Sequence, residues 1–269
     1  MNTTSARILA PISVAVAVLA VWWLVTAAGL ISPQFLPAPG HLAERFWLDV
    51  TKGPMLAHAW VTLSAALLGS LLAIVVAVPL GYLIARLPWV DVAVTPYVAA
   101  SQAVPAIALA PLLVLWIGYG LAPTVVLCAI MSFFPMLVTT VLGVRQLPQD
   151  VIEAGRIDGA NWYQLLWWVE GPLALPSVLA GIRAGVTLSI TGAVVGEFTM
   201  GGRGLGMLLT LNRDANDIPG IFSTLLMLVL LAVALYVLMR LFQNAVTWND
   251  DEPKTKRRAR VLADEPLPT

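Results

Sequence analysis

The chain contains 269 residues, of which 59% are hydrophobic and only 11% are charged, and its mean hydropathy is +0.86. Soluble globular domains are about 45–50% apolar and about 25% charged, so this composition excludes an ordinary soluble fold. The formal net charge of +0 gives no electrostatic reason to expect nucleic-acid binding. The single cysteine, Cys128, lies inside an apolar run, so the sequence predicts neither a disulfide framework nor a metal site.

Six apolar runs are each long enough to cross a hydrocarbon core of about 30 Å, which takes about 20 helical residues. They cover residues 8–30, 59–85, 92–117, 121–144, 176–198 and 218–242. Each should be a helix, because a bilayer offers the backbone no hydrogen-bond partner outside its own segment. The first run is longer than the apolar part of a secretory signal, so we expect it to be retained. Between the third and fourth runs only Gly118, Tyr119 and Gly120 remain, which predicts a tight helical hairpin.

The basic residues predict the orientation of these spans. If both termini are cytoplasmic, the basic residues inside are Arg7, Arg86, Arg145, Arg156, Arg240, Lys254, Lys256, Arg257, Arg258 and Arg260, and those outside are Arg45, Lys52, Arg203 and Arg213. This excess follows the positive-inside rule, although five of the ten inner residues lie in the tail. The sequence therefore predicts a transmembrane domain over 1–248 and a charged, disordered cytoplasmic tail over 249–269. The basic part of that tail would either contact anionic lipid or simply be solvated.

The loop between the fourth and fifth spans, residues 148–172, has the sequence features of two short helices. Pro148 suits a first helical turn, and Gly159 suits a helix end because glycine accepts a positive φ. Asn161 followed by Gln164 predicts a capping box that opens a second short helix over 162–169. That helix is rich in tryptophan. Two interpretations stay open at this point, a membrane-interface anchor and a docking surface for a cytosolic partner.

The same loop resembles the EAA signature of binding-protein-dependent permeases. That signature reads Glu-Ala-Ala, three residues, Gly, nine residues, an aliphatic residue, one residue, and Leu-Pro. Five of its seven fixed positions are matched at the right spacing, by Glu153, Ala154, Gly159, Val169 and Pro172. The two departures are Gly155, where the signature has Ala, and Gly171, where it has Leu.

Other segments are similar to one group of these permeases, which import sulfonates, taurine, nitrate, riboflavin and a thiamine pyrimidine precursor. They are residues 101–120, 133–135, 192–198 and 204–206. The resemblance implies an all-α membrane protein of the type I ATP-binding-cassette importers, in a prokaryotic inner or plasma membrane. A protein of this type would have six transmembrane helices and two short cytoplasmic coupling helices between spans four and five. Its substrate would be a small polar or anionic solute of the sulfonate, nitrate or vitamin-precursor class.

The resemblance also implies partners. A second, identical permease copy would complete the pore, two cytosolic ATPase subunits would supply energy, and an extracytoplasmic binding protein would deliver the solute. Because the chain has no phosphate-binding loop, ATP and Mg would be bound by the ATPase, and this chain would be neither an enzyme nor a cofactor protein. The residues implied to couple to the ATPase are Glu153, Ala154, Gly159, Trp162, Val169 and Pro172.

Polar residues inside the spans are the candidates for the solute pathway or for a gate. They are Ser101, Gln102, Ser132, Thr191 and Glu197. A serine or threonine in a membrane helix more often bonds a nearby helix carbonyl than a ligand, so these assignments compete with a structural role. Glu197 should lie near the outer end of the fifth span. There it could act as a gate, pair with Arg203, or face water.

Four glycines of the fifth span, Gly181, Gly185, Gly192 and Gly196, fall on one helix face. Small residues let membrane helices approach closely, which predicts either packing within the chain or a seam that slides or dimerises.

The alternative function is an ATP-independent secondary transporter or channel. Such proteins often carry inverted repeats and acidic pairs at mid-membrane, and the sequence shows neither. A membrane-embedded enzyme is less favoured, because the spans hold no cluster of catalytic side chains.

Overall fold

Helices account for all the regular structure in residues 3–32 and 34–247, the part of the chain that the computed structural model describes. They are α1 (Thr3–Ala27), α2 (Pro39–Thr51), α3 (Met55–Arg86), α4 (Pro88–Ser101), α5 (Ala106–Ile117), α6 (Leu121–Arg145), α7 (Gln149–Ile157), α8 (Trp162–Gln164), a π-helical turn (Leu165–Glu170), α9 (Gly171–Met200), α10 (Leu205–Asp214) and α11 (Ile218–Thr247). The tail predicted over 249–269 lies outside the described residues.

Among the described residues, four helices are long and apolar enough to cross a membrane. They are α3, α6, α11 and the continuous helix Trp162–Met200, which joins α8, the π turn and α9. A fifth crossing can be counted if α4 and α5 form one broken span, since the two are bent by 97°. In α1 the part whose side chains are described is the apolar helix Ser13–Ala27. The fold is thus that of an all-α membrane protein, as the composition predicts.

The predicted third span, 92–117, consists of two helices bent by 97° at a short break rather than one continuous helix. Helix α4 ends at Ser101, and the amides of Ala103 and Val104 bond the carbonyls three residues back, which tightens the last turn. Pro105 then supplies no N–H and restricts the residue before it to an extended backbone. The helix restarts at Ala106 in a new direction.

The prediction of a separate second loop helix ending near Val169 is wrong, because the helix that begins at Trp162 continues to Met200. The predicted capping box is present, because the Gln164 amide and the Asn161 side chain lie 2.9 Å apart and the reciprocal bond is also 2.9 Å. Beyond it the helix does not stop. Pro172 has no N–H to donate and its ring crowds the preceding turn. The turn widens instead, with Gly171 donating to Leu166, and the helix runs on to Met200.

The chain divides into two compact units. The first contains the described residues of Met1–Leu68, Ala106–Cys128 and Ile190–Ala232, and the second those of Gly69–Pro105, Ala129–Ser189 and Val233–Thr269. In the first unit, Met55, Ala59 and Leu205 form a buried cluster against α2, α10 and α11. In the second unit, Val144, Leu147, Ile152 and Ala174 form a cluster that joins α7 to α6 and α9.

The glycine face of α9 lies against α6 of the same chain at three positions. Gly181 faces Thr139, and Gly185 faces Met136, while nearer the other end Gly196 faces Thr124. The carbonyl of Gly185 also accepts a hydrogen bond of 2.9 Å from Ser132. Gly192 is buried as well. A side chain at Gly181 or Gly185 would collide with α6, so glycine permits the close approach of the two helices there.

Candidate functional site

The loop that resembles the EAA signature has a rigid frame. α7 is amphipathic, with Ile152 only 1% exposed against the cluster of Val144, Leu147 and Ala174. Asp150 in its first turn and Arg156 in its last turn oppose the charges of the helix dipole. Glu153 and Ala154 lie on the exposed face. The residues expected to meet a partner are therefore accessible, while the opposite face is anchored.

Gly159 ends α7 with a complete Schellman motif. Its φ is +84°, its amide bonds Arg156, and the next amide, of Ala160, bonds Gly155, both at 3.0 Å. A Cβ at Gly159 would meet nothing within 4 Å. The positive φ alone therefore explains the glycine, and the angle between α7 and α8 depends on it.

Both departures from the EAA signature have a structural reason. A Cβ at Gly155 would lie 3.0 Å from the Leu165 side chain, which is 6% exposed and packs onto α7 at this point. A Cβ at Gly171 would lie 2.7 Å from the Leu166 carbonyl, the acceptor in the widened π turn. The two glycines thus accompany a loop in which the second helix is packed tightly on α7 and wound more widely.

An exposed apolar surface covers the outside of this loop. We call it the loop face, and it consists of Ile157, Trp162, Tyr163, Trp167 and Trp168, which are 54–86% exposed. The rings of Trp162, Tyr163 and Trp167 contact one another in sequence, with centroids 6.0 and 6.1 Å apart. Apolar exposure of this extent marks a protein–protein or membrane contact. Of the remaining candidate residues, Val169 is half-buried and Pro172 is exposed.

Beside the loop lies a buried polar group that the sequence does not reveal. We call it the loop cluster, and it consists of Tyr82, Arg86 and Glu170. Glu170 is only 4% exposed and accepts hydrogen bonds from the Tyr82 hydroxyl at 2.8 Å and from Arg86 Nε at 3.0 Å. It joins residues more than 80 positions apart. No local sequence pattern could have predicted it.

The pathway candidates are divided between the two units. Ser101 and Gln102 are exposed at the break between α4 and α5, whereas Ser132 is buried and donates to Gly185. Gln102 lines a cavity of about 190 Å³ in the second unit. Polar groups that also line it are Asp91, Thr95 and Arg145, and an ion pair of 2.7 Å joins Asp91 to Arg145. Thr191 is exposed on α9 in the first unit.

The predictions that Glu197 pairs with Arg203 or faces water are wrong, because its side chain is buried and bonds other groups. The Glu197 side chain is 2% exposed, whereas Arg203 is exposed. One carboxylate oxygen accepts from the Thr62 hydroxyl at 3.0 Å and from the Gly206 amide at 2.8 Å. The other accepts no hydrogen bond from the described residues. Thr62 also accepts from the Leu205 amide at 2.8 Å.

The glycines around Glu197 make this arrangement possible. Gly204 has a φ of +141°, and a Cβ there would overlap the Glu197 carboxylate. The His58 ring nitrogen Nδ1 lies 2.8 Å from the Gly204 carbonyl oxygen. These residues, His58, Thr62, Glu197, Gly204 and Gly206, form the Glu197 cluster. It fixes the loop between α9 and α10 onto α3.

A third polar group fixes α2 to the start of α11. Arg45 pairs with Asp49 at 3.0 Å and with Asp217 at 2.6 Å. Ser223 donates to the second oxygen of Asp49 at 2.7 Å, and the Gly220 amide donates to Asp217 at 3.0 Å. In the sequence, Arg45 contributes only to the count of basic residues that predicts the membrane orientation.

An all-helical fold with several helices long enough to cross a membrane defines a polytopic membrane protein. Residues 69–247 match the family described as "Binding-protein-dependent transport system inner membrane component", and the chain belongs to that family. It is a permease subunit of an ATP-binding-cassette importer. Such permeases work with a separate ATPase. Membership in this family therefore decides against the two alternative functions, a secondary transporter and a membrane-embedded enzyme.

Relatives with assigned substrates cover nearly the whole chain. The chain is 44% identical to the riboflavin transport system permease of Chloroflexus aurantiacus, over 86% of this chain and 87% of that one. It is 33% identical to the formylaminopyrimidine transport permease of Halalkalibacterium halodurans, over 84% and 90%. It is 30% identical to the taurine transport system permease of Escherichia coli, over 87% of each chain.

The fold is also that of a solved importer. A structure described as an inward-facing conformation of the MetNI methionine transporter matches with a TM-score of 0.65. The match covers 72% of this chain and 96% of that one, at 20% identity. At this identity the likeness supports the fold alone.

The Glu197 cluster generates a test with a matched control. Gly204→Ala should destabilise the protein by about 1–3 kcal/mol more than Gly202→Ala, because only the first places a methyl group inside the carboxylate. Gly202 also has a positive φ, +112°, but a Cβ there would meet nothing within 4 Å. Thermal unfolding of the detergent-purified variants measures the difference. Equal melting temperatures would show that Gly204 does not pack on Glu197.

Proposed function

We propose that two identical copies of this chain form the translocation pathway of an importer for riboflavin or a similar flat nitrogen heterocycle. The observation that carries the proposal is the 44% identity to a riboflavin permease, against 30% to a taurine permease over a similar length. The second relative at high coverage transports a pyrimidine, which is also a nitrogen heterocycle. An extracytoplasmic binding protein would deliver the solute, and two ATPase subunits would drive transport.

Two copies are needed because the pore of such an importer lies between subunits, and closed two-fold symmetry is the common form of homo-oligomers. Each copy would cross the membrane six times, with α1 and the bent pair α4–α5 each counted as one span. The bend then exposes Ser101 and Gln102, and with them the cavity that Gln102 lines. Broken helices at membrane depth are tolerated where they line a cavity, which supports a pathway at this position.

The docking surface for the ATPase would be the loop face together with Glu153 and Ala154. Its partner is a cytosolic protein, so we place the loop 148–172 and both termini in the cytoplasm. A hydrophobic surface of tryptophan and tyrosine rimmed by charge is typical of the buried centre of a protein–protein interface. The same side chains on a membrane anchor would need no fixed angle between α7 and α8. The Schellman motif at Gly159 and the capping box at Asn161 fix that angle, which favours docking.

Uptake of labelled riboflavin tests the substrate. Cells that lack their own riboflavin uptake, and that express this permease with its co-encoded ATPase and binding protein, should show saturable, ATP-dependent uptake. Excess unlabelled riboflavin should abolish that uptake and excess taurine should leave it unchanged, because a sulfonate site and a heterocycle site differ in shape and charge. Uptake of labelled taurine without uptake of riboflavin would assign the importer to the sulfonate class.

Substitutions in the loop test its coupling role. Gly159→Val should strain the Schellman turn by roughly 1–3 kcal/mol, and Glu153→Lys reverses an exposed charge at the joint. Both variants should reach the membrane at normal levels but lose ATPase co-purification and uptake.

Matched controls exist for both substitutions. Gly118 has a similar φ of +93° with nothing within 4 Å of a Cβ, so Gly118→Val adds the same strain at the α5–α6 turn. Glu44 is an exposed residue of α2, and Glu44→Lys reverses the same charge there. Both controls should retain the ATPase. Normal ATPase binding by Gly159→Val and Glu153→Lys would make the loop a lipid anchor.

Cysteine labelling tests the orientation. Gln149 and Asp214 are both exposed, and the proposed topology places the first inside and the second outside. In intact cells an impermeant thiol reagent should label Asp214→Cys and spare Gln149→Cys, while permeabilised cells should show both. The native Cys128 is buried and provides the unlabelled background. The reverse labelling pattern would invert the topology.

A further inference from the structure

The loop cluster connects two elements that are distant in the sequence. Glu170 is the last residue of the π turn, and Arg86 is the last residue of α3. Arg86 Nη2 lies 2.8 Å from Glu170 Oε1, off the axis of its N–H bonds, while Nε donates to Oε2 at 3.0 Å. The Tyr82 hydroxyl, one helical turn earlier in α3, donates to Oε2 at 2.8 Å. Glu170 is thus held from two successive turns of one helix.

The surroundings of this ion pair are apolar. Tyr82 and Glu170 lie at the edge of a cavity of about 520 Å³, whose other lining residues include Val78, Pro79 and Leu83 of α3. Arg86 and Glu170 side chains are 20% and 5% exposed. Removing a charge pair from water costs free energy that an apolar pair would not require, so the pair adds little to stability. What it adds is a fixed geometry, because a guanidinium and a hydroxyl hold one carboxylate in a single orientation.

The position of the pair indicates what that geometry serves. α7 contacts the ends of α6 and α9 through Ile152, and both helices are joined to the loop by the chain itself. α3 has no such covalent connection to the loop. Its contacts here include the close packing of Gly81 on Thr140 of α6, the packing of Tyr82 and Ala85, and the hydrogen bonds to Glu170. Of these, the hydrogen bonds impose the strictest geometry, because they weaken steeply when donor and acceptor move out of line.

We infer that Glu170 is a positioning residue that transmits displacement of the coupling loop to α3 through Arg86 and Tyr82. This inference rests on the proposed docking of the ATPase at the loop face. When the ATPase moves the loop, α6 and α9 follow through the backbone, and α3 follows through the loop cluster. All three helices then move as one body. Without Glu170 the ATPase would still bind and hydrolyse ATP, but α3 would lag behind.

The test separates coupling from assembly. The permease–ATPase complex, with its binding protein, is reconstituted in liposomes, and riboflavin transported per ATP hydrolysed is measured. Glu170→Gln should keep the complex yield and the ATPase rate but lower this ratio at least about fivefold, the small end of allosteric coupling. Tyr82→Phe should lower it less, and the exchange Arg86→Glu with Glu170→Arg should restore part of it. Asp214→Asn, which removes the exposed Arg213–Asp214 pair, is the control and should change nothing.

A second measurement does not depend on the substrate. Spin labels on Leu83→Cys in α3 and Asp150→Cys in α7, both exposed positions, report the distance between the helix and the loop. In the native background that distance should stay the same with and without trapped ATP. With Glu170→Gln it should change on ATP binding. Three results with Glu170→Gln would each overturn the inference: a label distance that does not change on ATP binding, an unchanged ratio of riboflavin transported to ATP hydrolysed, or loss of the assembled complex. Absence of riboflavin transport by the native complex would instead refute the proposed substrate. The spin-label distances would then decide whether Glu170 transmits the displacement.

Discussion

The structure depends on a single constraint, that a backbone in hydrocarbon must bond its own N–H and C=O groups. Helices meet that demand everywhere except where a proline removes a donor or a helix ends. The two interruptions that matter here, at 102–105 and at the π turn, both lie beside a proline. In the first the helix breaks and turns by 97°, and in the second it widens and continues. The same chemistry therefore yields a bent pair of helices in one place and one long continuous helix in the other.

Polar side chains follow the same logic. Glu170 and Glu197 are both buried, and each accepts hydrogen bonds from groups brought in by α3 or by a glycine-rich turn. Ser132 bonds the carbonyl of a facing glycine, which also holds α6 close to α9. Buried polar groups with specific partners fix a helix pair in one arrangement where apolar contact alone would permit several. A transporter needs such fixed pairs, because a displacement is transmitted only by parts that do not slip.

Local sequence signals predicted the local structure well. The capping box at Asn161 and the turn at Gly159 each follow from a few adjacent residues, and so do the apolar lengths of α3, α6 and α11. The errors arose where two local signals compete. Pro172 is typical of a helix boundary, yet the helix accommodates it by widening one turn and continues. The apolar run 92–117 reads as one helix, yet its break at 102–105 is set by Pro105 and a tightened turn.

Contacts between distant residues lay beyond any local signal. The partner of Glu170 is 84 residues away and that of Glu197 is 135 residues away, and neither pairing has a pattern in the sequence. A single chain shows that a carboxylate stands at the end of a span, but not which helix lies beside it. The expected partner of Glu197, Arg203, was its nearest cation in the sequence. In three dimensions Gly204 closes over the carboxylate, and the arginine side chain is exposed.

The π turn also determines the direction in which the tryptophans of the loop point, compared with a relative that has an ordinary turn there. One extra residue in a turn rotates everything before it by about 100° around the helix axis. A relative with Leu at position 171 would need an ordinary turn there, because its side chain would strike the Leu166 carbonyl. The tryptophans of the loop would then point in a different direction. With the ATPase docked on the loop face as proposed, an ATPase fitted to the full signature would meet these tryptophans at a different angle around the helix axis, even if every contact residue were the same.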